Sequence, residues 1–187
     1  RGRPHWLGRQ QRRHDRSDLE GPCNLVIGLN DIHAQLLEKR PQHCATLMLD
    51  ASAGGARLIC NSDQGAHLPV GQLVLVLADS GTPTLALVRW RHQNAEGLHL
   101  GLRYLKGLPR PVWLRRAPSA QTHPGVMQST PAPGNGWHHG LWLPNGQFVE
   151  GENLWLQLAS VNNQAILPLP ASNLCTPSVS RYPLRLA

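Results

Sequence analysis

The fold is decided by residues 73–104, LVLVLADSGTPTLALVRWRHQNAEGLHLGLRY. Three apolar runs, at 73–77, 85–90 and 98–104, are separated by short segments rich in Gly, Pro, Asn and Asp. In the last run, Leu98, Leu100 and Leu102 alternate with His99, Gly101 and Arg103. A period of two between turn residues is typical of β-strands, so this stretch predicts three consecutive strands.

Three more short runs precede this stretch, at 25–27, 45–49 and 56–60. Only residues 31–39, DIHAQLLEK, have a helical pattern, and they lie in a long connection between the first two runs. Six strands without crossover helices predict an antiparallel sheet that closes into a small barrel, because closure removes exposed strand edges.

The sequence changes character after this block. Residues 108–135 contain six prolines and predict a stiff, extended linker or a wrap along the barrel surface. Strand-like runs return at 140–143, 154–158, 165–167 and 182–186, so residues 136–187 predict a small additional β region of unknown role.

Composition narrows the class of protein. The chain has 187 residues, 41% of them hydrophobic, and no apolar run long enough for a membrane span. Its four cysteines lack the spacing of a zinc site, and no secretory signal follows Arg1, so we expect a cytoplasmic protein with reduced thiols. The net charge of +7 comes from sixteen arginines and only two lysines among the basic residues, and it favours an anionic partner.

Two motifs accompany the predicted barrel. Residues 12–16, RRHDR, form an RxxxR motif from Arg12 and Arg16, with Arg13 as an additional arginine. Residues 50–55, DASAGG, form a DxSxxG motif at the junction of the second and third predicted strands. Each motif alone is common in solvated tails or turns, but here they occur in a fixed order with the strands.

This order resembles the PilZ domain, the bacterial receptor module for cyclic di-GMP, over residues 9–107. The resemblance implies a six-stranded antiparallel PilZ-type barrel at 9–107. The fold class predicted for the chain is all-β, with a flexible basic arm at 1–8 before this barrel and, after it, the linker and the β region, which have no match in the family. It also implies that the RxxxR segment folds over the ligand. Because the first sixteen residues carry six arginines and few apolar residues, we expect the ligand to order this segment. The ligand-binding residues carried over, with their neighbours, are Arg12, Arg13, Arg16, Asp50, Ser52, Gly54, Gly55 and Arg57.

The chemistry of these residues suits a guanine dinucleotide. An arginine fork matches the O6 and N7 acceptors of guanine and also binds phosphate oxygens. Asp50 can accept from the N1–H and the exocyclic amine of the base, and Ser52 can donate to a phosphate. Gly54 and Gly55 let the backbone approach the ligand closely.

Other classes of function are less well supported. The sequence has no nucleophile elbow, phosphate loop or metal-binding pattern among its ten histidines, so we expect neither an enzyme nor a cofactor other than the ligand. A nucleic-acid binder would interleave aromatic residues with its basic ones, so no DNA or RNA partner is expected. The alternative is a PilZ-like interaction scaffold that does not bind the nucleotide. The expected partners are cyclic di-GMP and a downstream protein or a covalently linked effector domain.

Overall fold

The computed structural model describes residues 21–79, 81–159 and 164–186. The first half of this range forms six strands and a helix, α1. The strands are β1 (Gly21–Ile27), β2 (Cys44–Ala51), β3 (Gly55–Cys60), β4 (Leu73–Ala78), β5 (Thr84–Asn94) and β6 (Gly97–Tyr104), and α1 spans Leu29–Leu36. The predicted runs at 25–27, 45–49, 56–60, 73–77, 85–90 and 98–104 all lie on these strands.

These six strands form a closed antiparallel barrel in the order β1-β2-β3-β6-β5-β4, which confirms the predicted barrel. Alternate residues point inward and pack into one core, as Leu98, Leu100 and Leu102 of β6 do. A 3-10 helix (Ser62–His67) lies beside one end of the barrel. There Arg91 of β5 donates to the carbonyls of Gly65 and Leu68, so its charge is held by backbone acceptors.

The long connection between β1 and β2 contains the short helix that the sequence predicts. α1 begins after Gly28, whose φ of 88° favours glycine, and buries Leu29 and Ile32 against the outer surface of the barrel. β1 and β2 then pair as an antiparallel hairpin from Gly21–Met48 to Leu25–Cys44. The long connection between β1 and β2 therefore places a helix outside the barrel wall.

The second half of the described chain forms a seven-stranded sheet in the order β11-β10-β7-β8-β9-β13-β12. Its strands are β7 (Leu108–Arg115), β8 (His123–Pro131), β9 (Trp137–Pro144), β10 (Asn153–Leu158), β11 (Gln164–Pro168), β12 (Leu174–Cys175) and β13 (Val179–Leu184). One face of this sheet packs around its own core, which includes Leu114, Met127 and Leu141. The additional β region is confirmed as a second layer of structure.

Residues 108–135, predicted as a proline-rich linker, instead contain two strands of this sheet, β7 and β8. Pro109 and Pro111 pair with Gln128 and Val126, so they occupy every second position of β7. Intervening residues such as Arg110 can then supply the N–H donors of the ladder to β8. Proline content alone therefore does not distinguish a linker from a strand at such positions.

The barrel and the second sheet share a hydrophobic core. Outward-facing residues of the barrel, such as Val26, Leu75 and Leu85, pack with Trp142 of β9 and with its neighbours. Trp142 is fully buried, and its Nε1–H donates to Gln128 at 3.0 Å. α1 contributes to the same junction, since His33 Nε2 lies 3.0 Å from the carbonyl oxygen of Val112. The two units are thus packed against each other along one wall of the barrel.

No helix in the described ranges combines the length and the apolar character needed to cross a bilayer.

Candidate functional site

The DxSxxG motif forms the tight turn between β2 and β3. The backbone N–H of Ser52 donates to the carbonyl of Gly55 at 2.8 Å, and the Tyr104 N–H donates to the carbonyl of Gly54 at 2.9 Å. A Cβ at Gly55 would lie 2.1 Å from the carbonyl oxygen of Leu102, so this position requires glycine. Ser52 and Gly54 are exposed at the tip of the turn. The motif therefore presents a polar rim that is anchored to β6.

Asp50 faces the outside of the barrel because of a β-bulge. Thr46 and Met48 point inward on β2, and simple alternation would place Asp50 inward as well. The register shifts between Met48 and Asp50, after which Ala51 points inward and Asp50 points outward. The bulge thus brings a carboxylate to the surface at the start of the motif.

Arg57 is the cross-strand partner of Asp50 on this outer face. Its guanidinium nitrogen Nη2 lies 3.4 Å from Asp50 Oδ2, and the side chains are 38% and 24% exposed. The Nε of Arg57 is buried and lacks a hydrogen-bond partner. An acceptor group that approached this pair from solvent could use the remaining guanidinium donors.

Trp90 continues the row of paired residues that starts with Asp50 and Arg57, on the same outer face of the barrel. A second bulge, between Val88 and Trp90, turns this side chain outward, where it is 42% exposed. Its indole lies against Gly101, where a Cβ would be only 2.0 Å from the indole Nε1. Gly101 also pairs with Arg57, so the indole and the guanidinium flank one glycine. The sequence signal was a glycine inside an otherwise regular strand, which often marks a close approach.

A protein-family comparison adds to this geometry: the model of the PilZ domain matches residues 10–113, which is more than half of the chain. The chain belongs to the PilZ family. PilZ domains are, as a family, receptors for cyclic di-GMP, and the closed six-stranded barrel agrees with the membership. No curated protein matches the chain.

The structure brings five of the predicted PilZ ligand residues together: Asp50, Ser52, Gly54, Gly55 and Arg57 lie on or beside the β2–β3 turn. Arg12, Arg13 and Arg16 lie outside the described residues, as does the predicted basic arm at 1–8. The described chain enters the barrel at Gly21, opposite Met48 of β2 and therefore at the same end of the sheet as the motif turn.

The histidines, cysteines and carboxylates of the described ranges do not form a metal centre. In the described ranges no group of three or more His, Cys, Asp or Glu residues could hold a metal ion. The four cysteines are free thiols, three of them buried in the barrel. The hydrogen bond between Cys44 and Cys60 raises the pKa of Cys44 and lowers the pKa of Cys60. These groups belong to the core rather than to the exposed PilZ face.

Proposed function

We propose that this PilZ domain binds cyclic di-GMP on the outer face formed by the motif turn, Arg57 and Trp90, and that binding closes the RxxxR segment over the ligand. The observation that carries the proposal is the alignment of Asp50, Arg57 and Trp90 in one row across four strands, produced by two separate bulges. Bulges of this kind often re-aim side chains at functional sites.

The row is complementary to a guanine base. Asp50 can accept from the N1–H and exocyclic amine of the base, while guanidinium groups can donate to its O6 and N7. The exposed indole of Trp90 offers a face on which a purine can stack. Ser52 and the backbone at Gly54 are exposed on the adjoining motif turn, where we expect a phosphate of the dinucleotide to lie.

The arginines of the RxxxR motif are within reach of this face. Arg16 precedes Gly21 by five residues, which span at most about 17 Å when extended. Arg12 has nine residues of chain, or at most about 31 Å. Because Gly21 lies at the end of the barrel that carries the motif turn, these lengths allow both guanidinium groups to contact a ligand held there. Closure of the segment would change the surface that a downstream protein or effector domain meets.

Calorimetric titration with cyclic di-GMP tests the proposal. We expect Asp50→Ala, Arg12→Ala and Arg16→Ala each to weaken binding roughly tenfold to 150-fold, because a hydrogen bond to a charged group contributes about 1.5–3 kcal/mol. Asp63→Ala and Arg3→Ala are matched controls, since Asp63 is exposed on the 3-10 helix and Arg3 lies outside the motif.

A second measurement addresses the closure. Hydrogen exchange of residues 9–20 should slow when cyclic di-GMP is added and should remain unchanged in the Asp50→Ala variant. If the parent protein shows no heat of binding at micromolar concentrations of the dinucleotide, the alternative of an interaction scaffold replaces the receptor function.

A further inference from the structure

A cleft of about 700 Å³ lies where the barrel meets the second sheet. One wall comes from the end of β6 and the residues that follow, Arg103 to Lys106, and the other comes from β8, β9 and β13. Gly54 of the motif turn stands at its edge. The volume falls within the roughly 300–1,000 Å³ of small-molecule sites.

The cleft is strongly basic. Its lining includes the four cationic side chains Arg103, Lys106, Arg181 and Arg185, and none of the described lining residues is an aspartate or a glutamate. The two ion pairs that join described residues, Asp50–Arg57 and Arg116–Glu152, lie elsewhere. The fold therefore gathers four positive charges from two structural units without a carboxylate between them.

Arg181 is held in place before any ligand arrives. Its Nε–H donates to Asn173 at 3.0 Å, and its guanidinium carbon lies 5.7 Å from the centre of the Trp142 ring. A Cβ at Gly140 would lie 2.9 Å from Arg181 Cδ, so the glycine makes room for the side chain. Partial burial, and then the positive charge of Arg103, lower the pKa of Arg181. A side chain fixed in this way loses little entropy when it binds an anion.

The lining also offers apolar surface. Tyr104, Leu105 and Pro183 border the cleft beside the cations. Inorganic phosphate would leave this surface unused, whereas a nucleotide would place its base or sugar against it and its phosphates on the arginines.

We propose that this cleft is a second phosphate-binding site, which takes the phosphate groups of a nucleotide and makes the second sheet part of the receptor. The inference goes beyond the proposed function, because the cleft shares only Gly54 with the proposed ligand face and its four cationic residues lie outside the row of Asp50, Arg57 and Trp90. The nucleotide is either a second molecule of cyclic di-GMP or a different nucleotide such as GTP, and the experiment separates the two.

The first measurement is an NMR titration of the ¹⁵N-labelled chain with pyrophosphate, followed at the amides of Gly140 and Arg181. The test variant is the double substitution Lys106→Gln/Arg185→Gln, and the matched control is Lys39→Gln/Arg40→Gln, which removes the same two charges from the exposed connection after α1. All four side chains are exposed, so both proteins should fold. We expect the cleft variant to bind pyrophosphate about tenfold more weakly or worse, and the control to change by about twofold or less.

The second measurement compares nucleotides. If the parent binds two cyclic di-GMP molecules per chain and the cleft variant binds one, the nucleotide in the cleft is a second molecule of cyclic di-GMP. If GTP displaces pyrophosphate and cyclic di-GMP does not, the nucleotide in the cleft is a different one, such as GTP. The proposal is overturned if neither nucleotide displaces pyrophosphate, if the Gly140 and Arg181 amides do not shift, or if both double variants weaken binding equally. Pyrophosphate binding should survive Asp50→Ala, so a failure of the motif site is seen separately.

Discussion

Replacement of Gly101 by alanine tests the ligand face most directly. The added Cβ would lie 2.0 Å from Nε1 and 2.2 Å from Cε2 of Trp90, so the indole cannot keep its position. Because the ring is 42% exposed, we expect it to rotate into solvent while the barrel wall stays in place. Leu100 and Leu102, which flank Gly101, point into the core on the other side of the sheet and are not touched.

The expected loss follows from the stacking that the indole supplies. Stacking of a base on an aromatic side chain contributes about 1–3 kcal/mol, so Gly101→Ala should weaken cyclic di-GMP binding roughly fivefold to 150-fold. The free energy of unfolding should change by about 1 kcal/mol or less, since the displaced group is on the surface. A large loss of affinity with a small change in the free energy of unfolding would show that Gly101→Ala acts by displacing the Trp90 indole.

The assay is calorimetric titration of four proteins: the parent, Gly101→Ala, Trp90→Ala and the double variant. If the glycine acts only by admitting the indole, the double variant should bind as weakly as either single variant, without an additive loss. Parent-like affinity in both single variants, together with lost binding in Asp50→Ala, would show that the base does not stack on Trp90 and would refute this part of the site.

Three further predictions concern stability and reactivity. Trp142→Phe should lower the free energy of unfolding by about 1–3 kcal/mol in chemical denaturation, because it leaves the buried Gln128 amide oxygen without its donor. Trp137→Phe is the control: this side chain is 60% exposed, so the free energy of unfolding should change by about 0.5 kcal/mol or less. Burial lowers the pKa of His33 from its ordinary value of 6.5, so the unfolded chain takes up a proton at a higher pH than the folded chain does. The contribution of His33 to the free energy of unfolding should therefore be complete above pH 6.5 and should fall as the pH drops below it. His33→Gln should flatten this pH dependence, and an unchanged dependence would show that His33 is not its source. In a thiol-labelling assay the exposed Cys175, whose pKa its hydrogen bond with Ser172 lowers, should react first, and the three buried cysteines should react only on unfolding; equal rates for all four would contradict the barrel core.

The barrel could be predicted from the sequence because its signals are local. Each strand contains a short apolar run, several of these runs have a period of two, and they are bounded by residues that favour turns. The motif turn was predictable for the same reason, since residues 50–55 lie next to one another and close a hairpin. Membership of the PilZ family follows from the order of these local features and is confirmed over residues 10–113.

The parts that could not be predicted depend on register. Counting by two from Met48 or from Val88 places Asp50 and Trp90 in the core, and only a bulge in the paired strand reverses them. A bulge is a property of the pairing of two strands, which a single run of residues does not reveal. β7 and β8 also depend on register. A proline fits a strand only at a position where the neighbouring strand needs no N–H donor from it, and the pairing of β7 with β8 decides which positions these are.

The arrangement of the two units gives the entry strand a special position. β1 is bonded to β2 on one side, where the motif turn begins, and to β4 on the other, where Val26 of β1 and Leu75 of β4 pack against the second sheet. The chain that carries the RxxxR motif enters the barrel through this strand, at Gly21. β5 also joins the two faces, since it carries Trp90 on the ligand face and Leu85 and Leu87 against the second sheet. Under the proposed function, closure of the RxxxR segment would act on β1 directly, and β1 and β5 would both connect the ligand-binding end of the barrel to the second sheet.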